Sequence, residues 1–386
     1  IILELDTYET TASVIKSEAV WDVFKKIYWN IIPKKLRHLL WEYYTPDWLV
    51  DFTLEESLYD IWIDTSILDP TCGSGAFITH AIKKYVAKHK DTLSNAELIS
   101  KITSNIVGFD INPIAVISAK ANYILALWDI TQITNTISVP IYMCDSILVP
   151  TVHAKQKENK HAISIDTVVW KFEVPVFETR EKSDYFLQKV SSCILKDYTS
   201  FEEFYWLIQK EKVIEISSEN LLYAEKFYEQ LYSLHLSWRN GFWPIILKNS
   251  FAPLFSESKF DVVVWNPPWI TWKAMSDTYR MATLDIWLSY WIFEKSAYDK
   301  ITTHDDFAMA VTYVSIDHYL KDNGITAFIL PQTFVKSLKW WEWFRKFKIT
   351  RDGLEVNFSI EKVYDMLKIS PFRWEAANRT SVYIFK

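Results

Sequence analysis

Three short apolar runs, each ending at or just before an aspartate, constrain the fold of this chain more than any other feature. The runs are Ser66–Asp69, Ile106–Asp110 and Val139–Met143, the last followed closely by Asp145. Helical spacing of apolar residues from Ala76 to about Lys90, and again after Pro113, separates these runs. Strands that alternate with helices pair in parallel, so the sequence predicts an α/β fold whose sheet is covered by helices.

A long segment in the middle of the chain interrupts this alternation. It is rich in Glu, Lys, Tyr and Phe and has mostly helical periodicity. Strand-like runs resume at 260–264 and 325–330, so the sheet continues after the interruption. We therefore divide the chain into a helical N-terminal segment (1–62), a first half of the α/β domain (63–149), a helical insertion (150–250) and a second half (251–386).

Composition excludes several classes of protein. No apolar run reaches the roughly 18 residues of a membrane span, and the first ten residues do not resemble a signal peptide. The three cysteines are too far apart for a disulfide framework or a zinc site, so we expect a cytoplasmic protein without a metal. The net charge of −6 leaves only local basic clusters, such as 345–348, to attract nucleic acid.

The chain starts without Met and reads as a piece of a longer protein.

The ends of the predicted strands carry residues suited to binding a nucleotide-like ligand. The turn from Asp69 to Phe77 contains Gly73 and Gly75, and glycines let backbone N–H groups approach a ligand closely. Asp110 ends the second strand, where a carboxylate can accept hydrogen bonds from ribose hydroxyls or cap the next helix. Asp145 and Ser146 follow the third strand, at the same edge of the predicted sheet.

The tetrapeptide Asn266-Pro267-Pro268-Trp269 follows a continuous apolar run and is the most specific signal in the chain. Two prolines make the turn rigid and leave its carbonyls free as acceptors. The Asn266 side-chain oxygen and a backbone carbonyl can accept both hydrogens of an amino group, and Trp269 can stack on a planar base. Enzymes that modify a base extrude it from the duplex and hold it by its edge and its face.

Together these motifs resemble the adenine-specific DNA methyltransferases of restriction-modification systems, in particular the large single-chain restriction-methylation enzymes. The segment HLLWEYYTPD at 38–47 resembles the N-terminal cofactor motif of that family, and 371–380 resembles its late motif beside the target base. The resemblance implies a Rossmann-like, class I S-adenosylmethionine-dependent methyltransferase fold with a mostly parallel seven-stranded sheet and helices on both faces. It implies that S-adenosyl-L-methionine is bound by Tyr44, Thr45, Pro46, Asp69, Thr71, Gly73, Gly75, Phe77, Asp110, Ile111, Asp145 and Ser146.

The same resemblance implies an activity and a set of partners. Asn266, Pro267, Pro268 and Trp269 would be catalytic, with Trp269 and Phe372 packing on the target adenine. The partner would be double-stranded DNA with a flipped adenine, methylated at N6. A target-recognition domain would follow residue 386, and a nuclease domain or subunit would complete a restriction-modification system. Two alternatives stay open: a methyltransferase acting on RNA or on a protein glutamine, and a catalytically inactive DNA-binding relative.

The chain is unusually rich in tryptophan and poor in glycine. It has 19 Trp and 6 Gly, whereas about 7% glycine would give roughly 27 residues. Trp41 and Trp265 stand where the resembled family has glycine, before the EYYTP and NPPW motifs, and Trp340, Trp341 and Trp343 crowd a charged segment. UGA differs by one base from the tryptophan codon UGG and is read as glycine in some bacterial lineages. We therefore predict that several of these tryptophans are glycines encoded by UGA.

Overall fold

In a computed structural model the chain is described in a set of separate ranges. They are 45–58, 64–131, 137–149, 162–166, 171–175, 177, 180–196, 200–238, 249, 252–253, 256, 259–292, 307–332, 334, 344–351, 354–372 and 379–386. The EYYTP motif enters this description only at Thr45. Trp41, Tyr44, Trp340, Trp341 and Trp343 lie outside the described residues.

A seven-stranded sheet organises the described part of the chain. Its strands are β1 (Ile67–Asp69), β2 (Ile106–Asp110), β3 (Ile141–Met143), β6 (Phe260–Trp265), β7 (Leu320–Pro331), β10 (Ile360–Asp365) and β11 (Thr380–Phe385). Their order across the sheet is β10-β11-β7-β6-β1-β2-β3. The five neighbouring strands β7, β6, β1, β2 and β3 are parallel, whereas β11 is antiparallel to both β7 and β10. The predicted mostly parallel seven-stranded α/β fold is confirmed.

Both faces of the sheet bury apolar side chains. Residues 262–265 of β6 alternate, with Val262 and Val264 in one buried cluster and Val263 and Trp265 in the other. This alternation is the period of two expected of a strand, and it explains why a strand covered on both faces reads as a continuous apolar run.

Helix α1 (Asp47–Ser57) lies in the N-terminal segment, and the first half of the domain contains helices α2 (Ala76–His89), α3 (Asn95–Asn105) and α4 (Pro113–Ala126). The predicted start at Pro113 is confirmed, and the helix is capped by Asn112, whose side chain accepts a hydrogen bond from the Ile114 N–H. Asp110, considered from the sequence as a possible cap, instead accepts a bond from the Asn112 N–H at 2.8 Å. Sequence periodicity missed α3, although Ser94 and Glu97 form a capping box at its start.

The insertion has its own buried cluster. It contains helices α5 (Arg180–Leu195), α6 (Phe201–Glu211) and α7 (Ser218–Trp238), as the periodicity predicted. It also contains an antiparallel hairpin of β4 (Ala162–Asp166) and β5 (Lys171–Pro175), so the expectation of helices alone is wrong there. Phe172, Phe186, Phe204 and Phe227 pack together in a third cluster that is separate from the clusters on the sheet.

In the second half, α8 (Asp277–Ser289) follows β6 and α9 (Phe307–Val314) leads through a π turn, Ser315–Tyr319, into β7. Helix α9 is short because the residues after Val314 already belong to that turn and to the strand. A small hairpin of β8 (Lys348–Arg351) and β9 (Leu354–Asn357) was not predicted. No helix in the described ranges is both long enough and apolar enough to span a membrane.

The described tryptophans fall into distinct settings. Trp269 and Trp272 are buried, as expected of genuine core tryptophans, whereas Trp128 is exposed in a 3-10 turn after α4. Trp265 is fully buried and meets Phe328 edge to face, with ring centroids 5.1 Å apart. Its indole N–H has no hydrogen-bond partner among the described residues, and a buried unsatisfied donor costs about 1–3 kcal/mol.

Trp291 occupies a position that normally belongs to glycine. It follows the C-cap of α8 with a φ of +55°, the left-handed region that disfavours side chains. Its N–H donates to the Leu288 carbonyl, and the Ile292 N–H donates to the Trp287 carbonyl, which is the Schellman pattern. Trp291 is the only tryptophan among the described non-glycine residues with positive φ. The structure therefore adds Trp291 to the tryptophans expected to be glycines.

We expect Trp291→Gly to raise the free energy of unfolding slightly. Relief of the left-handed backbone is worth about 1–2 kcal/mol. It outweighs the exposed contact of the Lys346 ammonium with the indole at 5.8 Å, worth about 0.5–1 kcal/mol. Trp206→Gly is the matched control, because Trp206 is equally exposed but lies inside α6, where glycine should lower stability by about 1 kcal/mol.

Urea unfolding of the two variants measures this difference, and codon 291 of the gene should be UGA. A loss of more than about 1 kcal/mol in Trp291→Gly, or a UGG codon at 291, would contradict the assignment.

Candidate active site

The candidate site lies at the point of the sheet where the order of the strands reverses. The chain runs from β1 outward to β2 and β3, then returns to place β6 on the other side of β1. All four strands are parallel, so Asp69, Asp110, Asp145 and Asn266 follow strand ends at one edge of the sheet. In open α/β sheets, ligands bind outside the carboxyl ends of strands at such a switch point. The structure thus brings the two halves of the sequence-predicted site to one edge of the sheet.

The glycine turn after β1 is built for a close approach of backbone to ligand. Gly73 and Gly75 both have positive φ, +53° and +85°, and Gly75 caps the N-terminus of α2. A Cβ atom on Gly75 would lie 3.3 Å from the Cβ of Ala119 on α4, so a side chain there would be crowded as well as strained. The turn therefore points free N–H groups of a helix start toward the crevice.

Two carboxyls, the buried Asp69 and the half-buried Asp110, bond to the backbone of this turn. Asp69 accepts the Thr71 N–H at 3.1 Å, and Asp110 accepts the Gly73 N–H at 2.8 Å and the Asn112 N–H. Burial of Asp69 raises the pKa of its carboxyl well above the usual range, and the charge of Asp110 raises it further. A cationic group near both carboxylates would relieve this cost.

Asp145 is held by a partner that sequence reasoning missed. The Tyr279 hydroxyl, at the start of α8, donates to Asp145 Oδ2 at 2.8 Å, and the Ile147 N–H donates to Oδ1 at 3.1 Å. Burial raises the pKa of the Asp145 carboxyl, and these two donors oppose the shift. The only signal in the sequence was the position of Tyr279, ten residues after Trp269. Ser146 is buried beside it, and its carbonyl accepts the Tyr319 hydroxyl.

Asn266 directly follows β6 and offers an acceptor with nothing bound to it. Its Nδ2 donates to Thr45 Oγ1 at 3.1 Å. Its Oδ1 is buried and has no hydrogen-bond partner in the part of the chain that the structure describes. Buried acceptors are almost always paired, so an orphaned Oδ1 at the carboxyl end of β6 indicates a ligand donor. Thr71 Oγ1, in the glycine turn, is a second buried polar atom without a hydrogen-bond partner among the described residues.

Trp269 and Phe372, predicted to flank a target base, lie against each other. Their ring centroids are 5.3 Å apart at an interplanar angle of 83°, and both side chains are buried. The Trp269 indole N–H donates to the Ile329 carbonyl at 3.4 Å. The structure thus brings these two residues together, whereas their contact with a base stays a prediction.

The other residues predicted to bind the cofactor differ in how far they are buried. Thr45 is buried, and Pro46 is the N-cap residue of α1, with its carbonyl accepting the N–H groups of Leu49 and Val50. Phe77 is buried in the core under the glycine turn, whereas Ile111 is 65% exposed beside Asp110, as expected of a residue that a ligand could cover. Within the described ranges, no cluster of three or more His, Cys, Asp or Glu side chains could hold a metal ion.

Comparison with protein families gives two matches. The model described as "Eco57I restriction-modification methylase" matches residues 104–366, and the model described as "N-6 DNA Methylase" matches residues 21–173. Between them they span the glycine turn, the strand-end acids and the NPPW tetrapeptide. No curated protein sequence matches the chain.

Solved structures with similar folds include two restriction-modification enzymes. The ATP-dependent Type ISP enzyme LlaBIII bound to DNA is 14% identical with a TM-score of 0.49, over 96% of this chain and 21% of its own. A nuclease-deletion mutant of the Type ISP enzyme LlaGI with a DNA substrate mimic is 13% identical with a TM-score of 0.44, over 89% of this chain and 23% of its own. The chain thus spans less than a quarter of the length of either enzyme.

We expect Tyr279→Phe to lower the free energy of unfolding by about 1–3 kcal/mol, because it removes a hydrogen bond to a desolvated carboxylate. Chemical denaturation near neutral pH measures the change. Tyr232→Phe in α7, another half-buried tyrosine, serves as the control and should alter stability by less than about 0.5 kcal/mol. Equal effects in the two variants would show that the Asp145 bond contributes nothing.

Proposed function

The chain belongs to the family of Eco57I restriction-modification methylases, and from this premise we propose that it transfers a methyl group from S-adenosyl-L-methionine to N6 of adenine in DNA. The observation that carries the proposal is the orphaned Oδ1 of Asn266 in the tetrapeptide Asn266–Trp269. An exocyclic amino group supplies the donor that this acceptor lacks.

The residues at the strand ends fit the proposed cofactor. Its ammonium group suits the buried carboxyl of Asp69, and its carboxylate suits the N–H groups at the start of α2. Each carboxylate oxygen of Asp110 accepts a backbone N–H, and a carboxylate oxygen can accept a second hydrogen bond, here proposed to come from a ribose hydroxyl. Asp145, fixed by Tyr279, can accept from the adenine amino group. When bound, the cofactor supplies an electrophilic methyl group on a positively charged sulfur.

The residues of this chain then act by positioning. Asn266 Oδ1 and the Pro267 carbonyl accept the two hydrogens of the target amino group, which raises lone-pair density on its nitrogen and aims it along the line of transfer. Trp269 and Phe372 pack against the base to hold its plane. Orientation of this kind lowers barriers by several kcal/mol without a covalent enzyme intermediate.

The proposed partner is double-stranded DNA, from which the target adenine is flipped into the crevice. We propose that sequence-specific recognition comes from a further domain of the complete protein, and that a nuclease domain or subunit acts on unmethylated DNA. We place the enzyme in the cytoplasm, where its DNA substrate is found.

We expect Asn266→Ala to abolish methyl transfer while the cofactor affinity changes less than about twofold, because Asn266 is assigned to the target amine. Transfer of labelled methyl groups to DNA, RNA and protein, together with calorimetry of cofactor binding, measures both properties. Asn220→Ala in the insertion is a control that should keep full activity. Full activity of Asn266→Ala, or labelling of RNA or protein instead of DNA, would overturn the assignment.

We expect cofactor affinity to fall as pH is lowered through the raised pKa of Asp69. Because burial raises this pKa, the carboxyl takes up a proton at a higher pH than an ordinary aspartate does, and the cofactor ammonium binds the ionised form. Asp69→Asn should therefore weaken binding at pH 8 and flatten the pH dependence, whereas Asp129→Asn on the surface should leave both unchanged. Calorimetry at several pH values measures the slope, and an unchanged slope in Asp69→Asn would remove Asp69 from the cofactor site.

A further inference from the structure

Thr45 joins the N-terminal segment to the catalytic loop. Its hydroxyl accepts a hydrogen bond from Asn266 Nδ2 at 3.1 Å, across 221 positions of sequence. Thr45 stands at a position that binds the cofactor in the resembled family. Its contact here, however, is with Asn266, which is proposed to bind the target amine.

The contact occupies the donor end of the Asn266 amide. A primary amide has a donor end and an acceptor end that exchange places when the side chain flips by half a turn. With Nδ2 bound to Thr45, the acceptor Oδ1 is the end left without a partner among the described residues. In the flipped amide, an NH2 group would meet the amino group of a target base, and two donors cannot pair.

Thr45 is itself held rigidly. It precedes Pro46, which restricts its backbone to extended conformations, and its side chain is buried. Helix α1 begins directly after Pro46, and two side-chain contacts hold it in place. Asp51 bonds His80 at 2.9 Å, and Glu56 bonds Lys362 at 3.0 Å. A hydroxyl fixed in this way can hold the amide in one orientation through the reaction.

We propose that Thr45 is a positioning residue for the transfer step: its hydroxyl accepts the Asn266 Nδ2–H and anchors the side chain where Oδ1 is left for the target amino group. The inference rests on the proposed function. It gives Thr45 a role in the rate of the chemical step, in place of the role in cofactor binding that the resemblance implies.

The test compares Thr45→Val, which keeps shape and removes the hydroxyl, with Thr45→Ser, which keeps the hydroxyl. Under single-turnover conditions with saturating DNA and cofactor, Thr45→Val should slow methyl transfer about 10-fold, equivalent to about 1.4 kcal/mol. The Kd for S-adenosyl-L-methionine should stay within about twofold, and Thr45→Ser should restore most of the rate. Thr45→Ala replaces Thr45→Val if the latter does not fold.

Thr53→Val is the matched control. Thr53 is a buried threonine of α1 whose hydroxyl donates to the Leu49 carbonyl at 2.7 Å, away from Asn266. This variant should keep the wild-type rate. An equal loss in Thr53→Val would mean that α1 acts through stability alone, and a raised Kd with an unchanged rate in Thr45→Val would return Thr45 to the cofactor site. An active Asn266→Ala protein would instead refute the proposed function, so the two failures are distinguishable.

Discussion

The parallel pairing of β1 with β2 on one side and β6 on the other is the constraint on which the site depends. It sends the glycine turn, the strand-end carboxyls and the catalytic loop to one edge, although the insertion separates them in sequence. The turn can cross β2 only because Gly108 has no side chain. A Cβ there would lie 2.8 Å from Ile141 Cδ1 and 3.1 Å from the Sγ of Cys72 in the turn. Strand register therefore places the catalytic half beside the cofactor half, and one glycine lets the turn pack closely on β2.

Electrostatics at this edge favours a positively charged ligand. Asp69, Asp110 and Asp145 are drawn together by the strands, and burial raises the pKa of both Asp69 and Asp145. Backbone N–H groups and the Tyr279 hydroxyl compensate these carboxyls in part. The protein thus keeps desolvated carboxylates at some cost to its stability, which is typical of binding sites.

Sequence reasoning predicted the features that depend on local pattern. The period of two in β6, the proline that starts α4 and the glycine turn each reflect residues close in sequence, so strands, helices and strand-end acids could be read directly. The contacts of Thr45 with Asn266 and of Tyr279 with Asp145 could not, because they join residues more than 130 positions apart whose meeting depends on the tertiary fold. The hairpin of β4 and β5 was missed for a related reason: cross-strand pairing leaves little trace in the periodicity of a five-residue strand.

The insertion between β3 and β6 buries its aromatic side chains among themselves. Apolar burial is the main contribution to the stability of a fold. A segment with its own hydrophobic core can therefore stay folded after the sheet has unfolded. Denaturation of this protein should accordingly depart from a single all-or-none transition, and amide hydrogen exchange should divide the chain into two groups of protected residues. A loop carrying its own core can also change in length and surface without disturbing the crevice, which leaves that part of the molecule open to variation while the chemistry is preserved.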